Sequence, residues 1–193
     1  MKSICVFCGS AEGRDPAFAA AARALGGELA GRGIGLVYGG GNVGLMGVVA
    51  DAALAAGGRV TGVIPRPLVA REIAHTGLTD LRVVDSMHER KALMADLSDA
   101  FIALPGGYGT LEEIAEAITW TQLGVHLKPC GLLNVAGFYD GLLAFLAHAS
   151  DQQFIKPANL DIVITDTSPA GLVDRIAAWQ PPDLRAWVGR GET

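Results

Sequence analysis

The chain has 193 residues, of which 50% are hydrophobic, 18% are charged and 26 are glycine. This balance excludes a disordered chain, which combines low hydrophobicity with high net charge, and glycine without a triplet period excludes collagen. A formal net charge of −5 speaks against a nucleic-acid partner, because such proteins usually carry a basic surplus that displaces counterions.

Short apolar runs alternate with longer helical patterns along the whole chain. Ser3 to Cys8 reads as a first strand; it follows Met1-Lys2 with no small-residue cleavage site, so it is not a signal peptide and a cytoplasmic location is expected. Asp15-Pro16 reads as an N-cap and first helical position, opening a helix to about Arg32. Ile34 to Tyr38 is the second strand, Gly44 to Ala56 a helix and Arg59 to Ile64 the third strand. Pro65 to Gly77 is a loop or a short irregular helix. Leu81 to Val84 is a strand, Ser86 to Leu97 a helix, and Ala100 to Leu104 a strand. A helix from Thr110 to Leu123, a strand from Cys130 to Leu133, a helix from Phe138 to Gln152 and a strand from Ile162 to Thr165 follow. Ser168-Pro169 starts a last helix, and a tail begins after Pro181-Pro182.

This alternation predicts an α/β fold: a single doubly wound Rossmann-like domain over residues 1–180, a mostly parallel sheet of about seven strands, and a C-terminal tail over residues 181–193. The longest uncharged stretch, Gly33 to Ala50, contains seven glycines and falls short of the roughly 20 apolar residues of a membrane span. No membrane partner is expected. Cys5 and Cys8 form a C-x-x-C spacing, but on a strand residues three apart face opposite sides, which argues against a redox or metal pair. His75, His88, His126 and His148 do not stand at metal-ligand spacing, so neither a metal nor a cofactor is expected. Trp120, Trp179 and Trp187 read as packing residues, and Leu123, Val125 and Leu127 beside Trp120 as an apolar surface for a second subunit.

In open α/β sheets the ligand binds beyond the carboxyl ends of the strands, at the point where strand order reverses. Four segments occupy such positions: Gly9-Ser10, Gly39 to Gly47, Ser86 to Lys91, and Pro105 to Glu113. Gly39-x-Gly41-x-x-Gly44 matches the dinucleotide fingerprint in letters. However, it follows the second strand rather than the first, and Pro65-Arg66 stands where an acidic residue is needed, so a nicotinamide cofactor is not expected. Two readings stay open for these glycines: a phosphate cradle at a helix N-terminus, or a turn that lets strand and helix pack closely.

Thr110 with Glu113 three residues later fits a capping box, a structural role that competes with a catalytic one for Glu113. Ser86 and Glu89 fit the same pattern. Arg90 and Lys91 then place two cations in the first turns of a helix, against its dipole. A compensating anion is expected, supplied by a substrate phosphate or by the carboxylate of Glu113.

With Pro105-Gly106-Gly107-Tyr108-Gly109-Thr110-Leu111-Glu112-Glu113 and Met87-His88-Glu89-Arg90-Lys91, the sequence closely resembles the Lonely guy family of cytokinin riboside 5′-monophosphate phosphoribohydrolases, long mislabelled as lysine decarboxylases. The likeness runs over residues 3–166 and includes Cys5 to Ser10, Tyr38 to Gly41, Gly44 to Gly47, Ile118 to Trp120 and Gln122 to Gly124. It implies a Rossmann-like homodimer acting on a nucleoside 5′-monophosphate, with adenine or an N6-modified adenine as base. Arg90 and Glu113 would be the catalytic pair. Gly9, Ser10, Gly40, Gly41, Glu72, Met87, Lys91, Gly106, Gly107, Tyr108, Gly109, Thr110, Leu111, Glu112 and Thr119 would contact the nucleotide. Ala11 departs from a second serine found in many members. No segment reads as a cofactor-bearing lysine site. The competing readings are a nucleotide-binding or carrier protein without hydrolase activity, and a general AMP nucleosidase.

Overall fold

The computed structural model describes residues 1–69 and 74–182. Seven strands among these residues form one sheet: β1 (Ser3–Phe7), β2 (Gly35–Tyr38), β3 (Val60–Pro65), β4 (Asp80–Val84), β5 (Ala100–Ala103), β6 (Cys130–Leu133) and β7 (Val163–Asp166). Most are apolar at successive positions, which suits strands covered on both faces by helices. The order is β4-β3-β2-β1-β5-β6-β7, and every pairing is parallel. The winding therefore reverses at β1, whose neighbours are β2 and β5, and a crevice opens there at the carboxyl edge.

Among the described residues eight helices accompany the sheet: α1 (Pro16–Gly31), α2 (Gly44–Ala55), α3 (Arg66–Val69), α4 (Met87–Asp96), α5 (Tyr108–Leu123), α6 (Asp140–Asp151), α7 (Pro157–Leu160) and α8 (Pro169–Ala178). The strands' twofold alternation divides the core. Ile4, Val6, Leu36 and Ile102 pack with α1, α2 and α8 through Leu25, Val49 and Leu172. On the other face Cys5, Phe7, Val37 and Phe101 pack with α4 and α5 through Met94 and Ile114. Cys5 and Cys8 fall in different layers, as strand geometry requires. Burial pushes both thiols well above their ordinary value, so neither has the low-pKa, accessible character of a reactive cysteine.

Three expected caps are present. Asp15 accepts a hydrogen bond from the Ala17 amide, Ser86 from the Glu89 amide and Ser168 from the Gly171 amide. Other expectations are corrected. Glu89 does not bond back to its cap residue; its carboxylate accepts from the Asp85 amide, one residue earlier. The segment after β6 begins with a 3-10 turn over Val135–Gly137, so α6 starts at Asp140 rather than Phe138. The short helix α7 had no periodic signal.

The largest correction concerns α5. Its N-cap is Gly107, not Thr110. Thr110 is instead the third helical residue and is buried, and no capping box reaches Glu113. Glu72, within residues 70–73, lies outside the described residues, as do residues 183–193 of the tail, Trp187 included. Among the described residues no helix is long and apolar enough to cross a membrane.

Candidate active site

The glycine turn after β2 is the first component. A Cβ on Gly39 would lie 2.0 Å from Nη2 of Arg90 and 3.2 Å from its Cζ. Only a residue without a side chain leaves room for the guanidinium there. Arg90 comes from the first turn of α4 and is 6% exposed. Its Nε donates to the carbonyl of Val63 on β3 at 3.2 Å, and its Nη2 to the carbonyl of Gly39 at 3.3 Å. Two backbone carbonyls, one within β3 and one just past β2, thus set the plane of the fork, which a single flexible contact could not do.

The remaining nitrogen, Nη1, lies 3.8 Å from Oε1 of Glu113 and 3.8 Å from Sδ of Met87. The carboxylate separation is too long for a hydrogen bond and is that of an ion pair. Glu113 projects from the second turn of α5 with its side chain 11% exposed. Both charges reach β1: after burial, Glu113 raises the Cys5 thiol further and Arg90 partly offsets it. Of the two anions expected opposite Arg90, Glu113 stands there, and the N-cap of its helix is Gly107 rather than Thr110.

Lys91 finds different partners. Its Nζ donates to Oε1 of Glu112 at 2.5 Å and to Oε1 of Glu116 at 3.0 Å. Burial lowers the ammonium's pKa, but the two hydrogen bonds outweigh it and leave it raised. Lys91 and Glu112, both expected at the nucleotide, tie α4 to α5 beside Arg90 and Glu113.

The β5–α5 turn is built by close packing. A Cβ on Gly106 would meet Oγ1 of Thr110 at 2.1 Å and the Gly9 amide nitrogen at 2.9 Å. The Gly9 amide donates to the Pro105 carbonyl, and the Gly9 carbonyl accepts from Leu45 of α2. At Gly44, φ is +56° and a Cβ would lie 2.3 Å from Ser10 carbonyl carbon. Gly9, Gly44 and Gly106 thus serve the close-packing reading of the glycine turns. Gly107 and Gly109 are different: among the described residues nothing lies within 4 Å of a Cβ at either, Tyr108 between them is 94% exposed, and no side chain caps α5. The helix N-terminus presents bare backbone to solvent, as an anion site does.

Ser10 is exposed beside this turn, while Gly40 and Gly41 are buried in the β2 turn. Met87 and Leu111 are partly exposed apolar residues, the former in contact with Arg90. Thr119 stands apart. It lies six residues beyond Glu113, about 9 Å along the helix axis, and its hydroxyl donates to the Ala115 carbonyl. A cleft of about 270 Å³ opens between residues Gly9–Gly13 and Pro105–Gly107, walled by Phe18, Leu45 and Phe138. It marks the crevice at the β1–β5 reversal. Val63, whose carbonyl orients Arg90, carries no chemistry-bearing signal in the sequence. Among the described residues no group of three His, Cys, Asp or Glu stands ready to hold a metal ion.

The architecture and site define a Rossmann-like protein with a buried arginine–glutamate pair beside an uncapped helix N-terminus at the carboxyl edge of its sheet. A family model described as possible lysine decarboxylase matches residues 46–176. The cytokinin riboside 5′-monophosphate phosphoribohydrolase LOG7 of Arabidopsis thaliana is 52% identical over 180 residues, 93% of this chain and 83% of that protein. The probable enzyme of the same name, LOGL6, of Oryza sativa subsp. japonica is 51% identical over 180 residues, 93% of this chain and 72% of that one. The chain belongs to this family, the Lonely guy family. Among solved structures, the molybdenum cofactor binding protein of Rippkaea orientalis matches with a TM-score of 0.69 and 27% identity, over 92% of this chain and 97% of that one. The molybdenum cofactor carrier protein of Chlamydomonas reinhardtii shares the fold, with a TM-score of 0.69 at 22% identity over 92% and 96% of the two chains.

Proposed function

We propose that the protein hydrolyses the N-glycosidic bond of nucleoside 5′-monophosphates whose base is adenine or an N6-modified adenine; its relatives are named as phosphoribohydrolases of cytokinin riboside 5′-monophosphates. The products are the free base and ribose 5-phosphate. The observation that carries this reading is the Arg90–Glu113 pair, with Arg90 held in one orientation by the carbonyls of Val63 and Gly39.

Cleavage of a glycosidic bond builds positive charge on the sugar ring. A carboxylate beside the anomeric carbon stabilises that charge and orients or deprotonates the attacking water. Glu113 takes this role, and water's oxygen ends on C1′ while its proton balance is completed at the departing base. Arg90 fixes the carboxylate and is in reach of the substrate's own oxygens. The bare backbone of Gly107 to Gly109 receives the 5′-phosphate, so that remote binding energy places the sugar against Glu113. Amine chemistry of the decarboxylase type does not suit Lys91: a nucleophilic lysine needs a lowered pKa, whereas Glu112 and Glu116 hold this one charged. The homodimer and the cytoplasmic location expected from the sequence belong to the same proposal, and light scattering of the purified chain tests the dimer.

Glu113→Gln tests the assignment. Base release from AMP and from its N6-isopentenyl form is expected to fall at least about a hundredfold, with the nucleotide still bound. Turnover within about threefold of wild type would remove Glu113 from the reaction, and binding without turnover in the wild type would favour a carrier.

A further inference from the structure

The carbonyls of Gly39, Gly40 and Gly41 are each held by a different group. Arg90 Nη2 donates to Gly39 and the Tyr38 hydroxyl donates to Gly41 at 3.1 Å. The carbonyl between them, Gly40, accepts from the backbone amide of His75 at 3.0 Å, and Ala74 forms an antiparallel bridge with Gly41. His75 lies far from the catalytic pair in sequence and carries no motif. It is nevertheless buried, with 8% of its surface exposed.

Its ring is fixed at both nitrogens. The Gly77 amide donates to Nδ1 at 3.0 Å, so Nδ1 is an acceptor and the ring proton sits on Nε2. That Nε2 donates to Oδ1 of Asp51 on α2 at 2.9 Å. Asp51 is otherwise largely solvent-exposed, at 67% for its side chain, and takes no part in the site itself. The arrangement is a clamp: α2 holds the imidazole through Asp51, the imidazole holds its own backbone, and that backbone holds the peptide following the one that receives Arg90.

We propose that His75, oriented by Asp51, is a positioning residue for the hydrolysis assigned above. It acts through the Gly39–Gly41 turn to keep the guanidinium of Arg90 in place opposite Glu113. The proposal rests on Arg90 being catalytic. Releasing the clamp lets the turn shift, and a misplacement near 1 Å at a reacting group costs up to about a hundredfold in rate. Phosphate binding at the α5 turn involves none of these residues and stays intact.

The experiment measures kcat and KM for AMP hydrolysis, with thermal unfolding alongside, in His75→Ala, His75→Gln, Asp51→Ala, Arg90→Lys and Arg90→Ala variants and in the Arg90→Lys, Asp51→Ala double variant. Glutamine places an amide nitrogen where Nε2 stood and can still donate to Asp51. His75→Ala and Asp51→Ala are expected to lower kcat about tenfold and several-fold respectively, with KM within about twofold, while His75→Gln recovers most of the loss. In the Arg90→Lys background, Asp51→Ala is expected to have no further effect on kcat, because the group it positions is already lost. A kcat within about twofold of wild type in Asp51→Ala, or an undiminished further effect in the Arg90→Lys background, overturns the clamp. Asp51 is exposed, so that variant decides the matter even where His75→Ala fails to fold. Full activity in Arg90→Lys together with Arg90→Ala would overturn the catalytic role of Arg90, and loss there with an active Asp51→Ala would overturn only the clamp.

Discussion

Gly39→Ala is the most direct perturbation of the site, because its effect falls on Arg90 by contact alone. The added methyl would lie 2.0 Å from Nη2, 3.2 Å from Cζ and 3.5 Å from Sδ of Met46. Ordinary carbon–nitrogen contact requires about 3.4 Å or more, so the end of the guanidinium must retreat by more than 1 Å. Arginine tips usually yield cheaply, but this one is buried and its Nε and Nη2 are committed to Val63 and Gly39. Retreat breaks the Nη2 bond, and each hydrogen bond to a charged group contributes about 1.5–3 kcal/mol. It also opens the 3.8 Å approach to Glu113. A displacement of that size at a catalytic group corresponds to about a hundredfold in kcat, or close to 2.7 kcal/mol of barrier. The assay is release of free base from AMP at saturating substrate, with circular dichroism to confirm folding. Gly27→Ala in α1 is the control: among the described residues nothing lies within 4 Å of its Cβ, and it is expected to stabilise by up to about 1 kcal/mol with unchanged kcat. Gly39→Ala turning over within about threefold of wild type would refute the reasoning, since Arg90 would then tolerate displacement or play no part.

Gly106→Ala acts on folding more than on chemistry. Its Cβ would collide with Thr110 and with the backbone of Gly9, so urea denaturation is expected to show a loss of about 1–3 kcal/mol. Acid sensitivity follows from Asp99 and Asp166, whose carboxyls are held below their ordinary value chiefly by amides of Lys2 and of Ser168 respectively. A depressed carboxylate contributes stability that is present above its unfolded pKa, near 4, and is lost as pH falls through the folded value. Stability is therefore expected to decline below about pH 4, and Asp166→Asn, measured by denaturant titration at several pH values, is expected to make that decline shallower. An unchanged slope would show that the Ser168 contacts do not persist in solution.

Much of this protein is legible in local spacing. Buried apolar runs separated by helical periods require a parallel sheet covered on both faces, and they place the residues after each strand on one edge. Asp15, Ser86 and Ser168 announce their helices because a cap is a contact between neighbours in the chain. The same local logic misplaced the start of α5. Thr110 and Glu113 have the spacing of a capping box, yet Gly106 packs so closely on Gly9 and Thr110 that the helix begins at Tyr108, with Gly107 at its N-cap, and the threonine is drawn inside.

The identity of Arg90 and Glu113 as a pair could be anticipated from an unbalanced cation at a helix start, but its geometry could not. The acceptors that orient Arg90 are 27 and 51 residues away, the vacancy that admits it is the missing side chain of Gly39, and the partners of Lys91 lie 21 and 25 residues further along. The sequence by itself determined the layers of the fold and the sheet edge on which the glycine turns gather, because hydrophobic period and caps are properties of adjacent residues. Only the tertiary structure decided which glycines make room and which lie open, and which carboxylate faces which cation. Those are contacts between segments that the chain brings together only on folding.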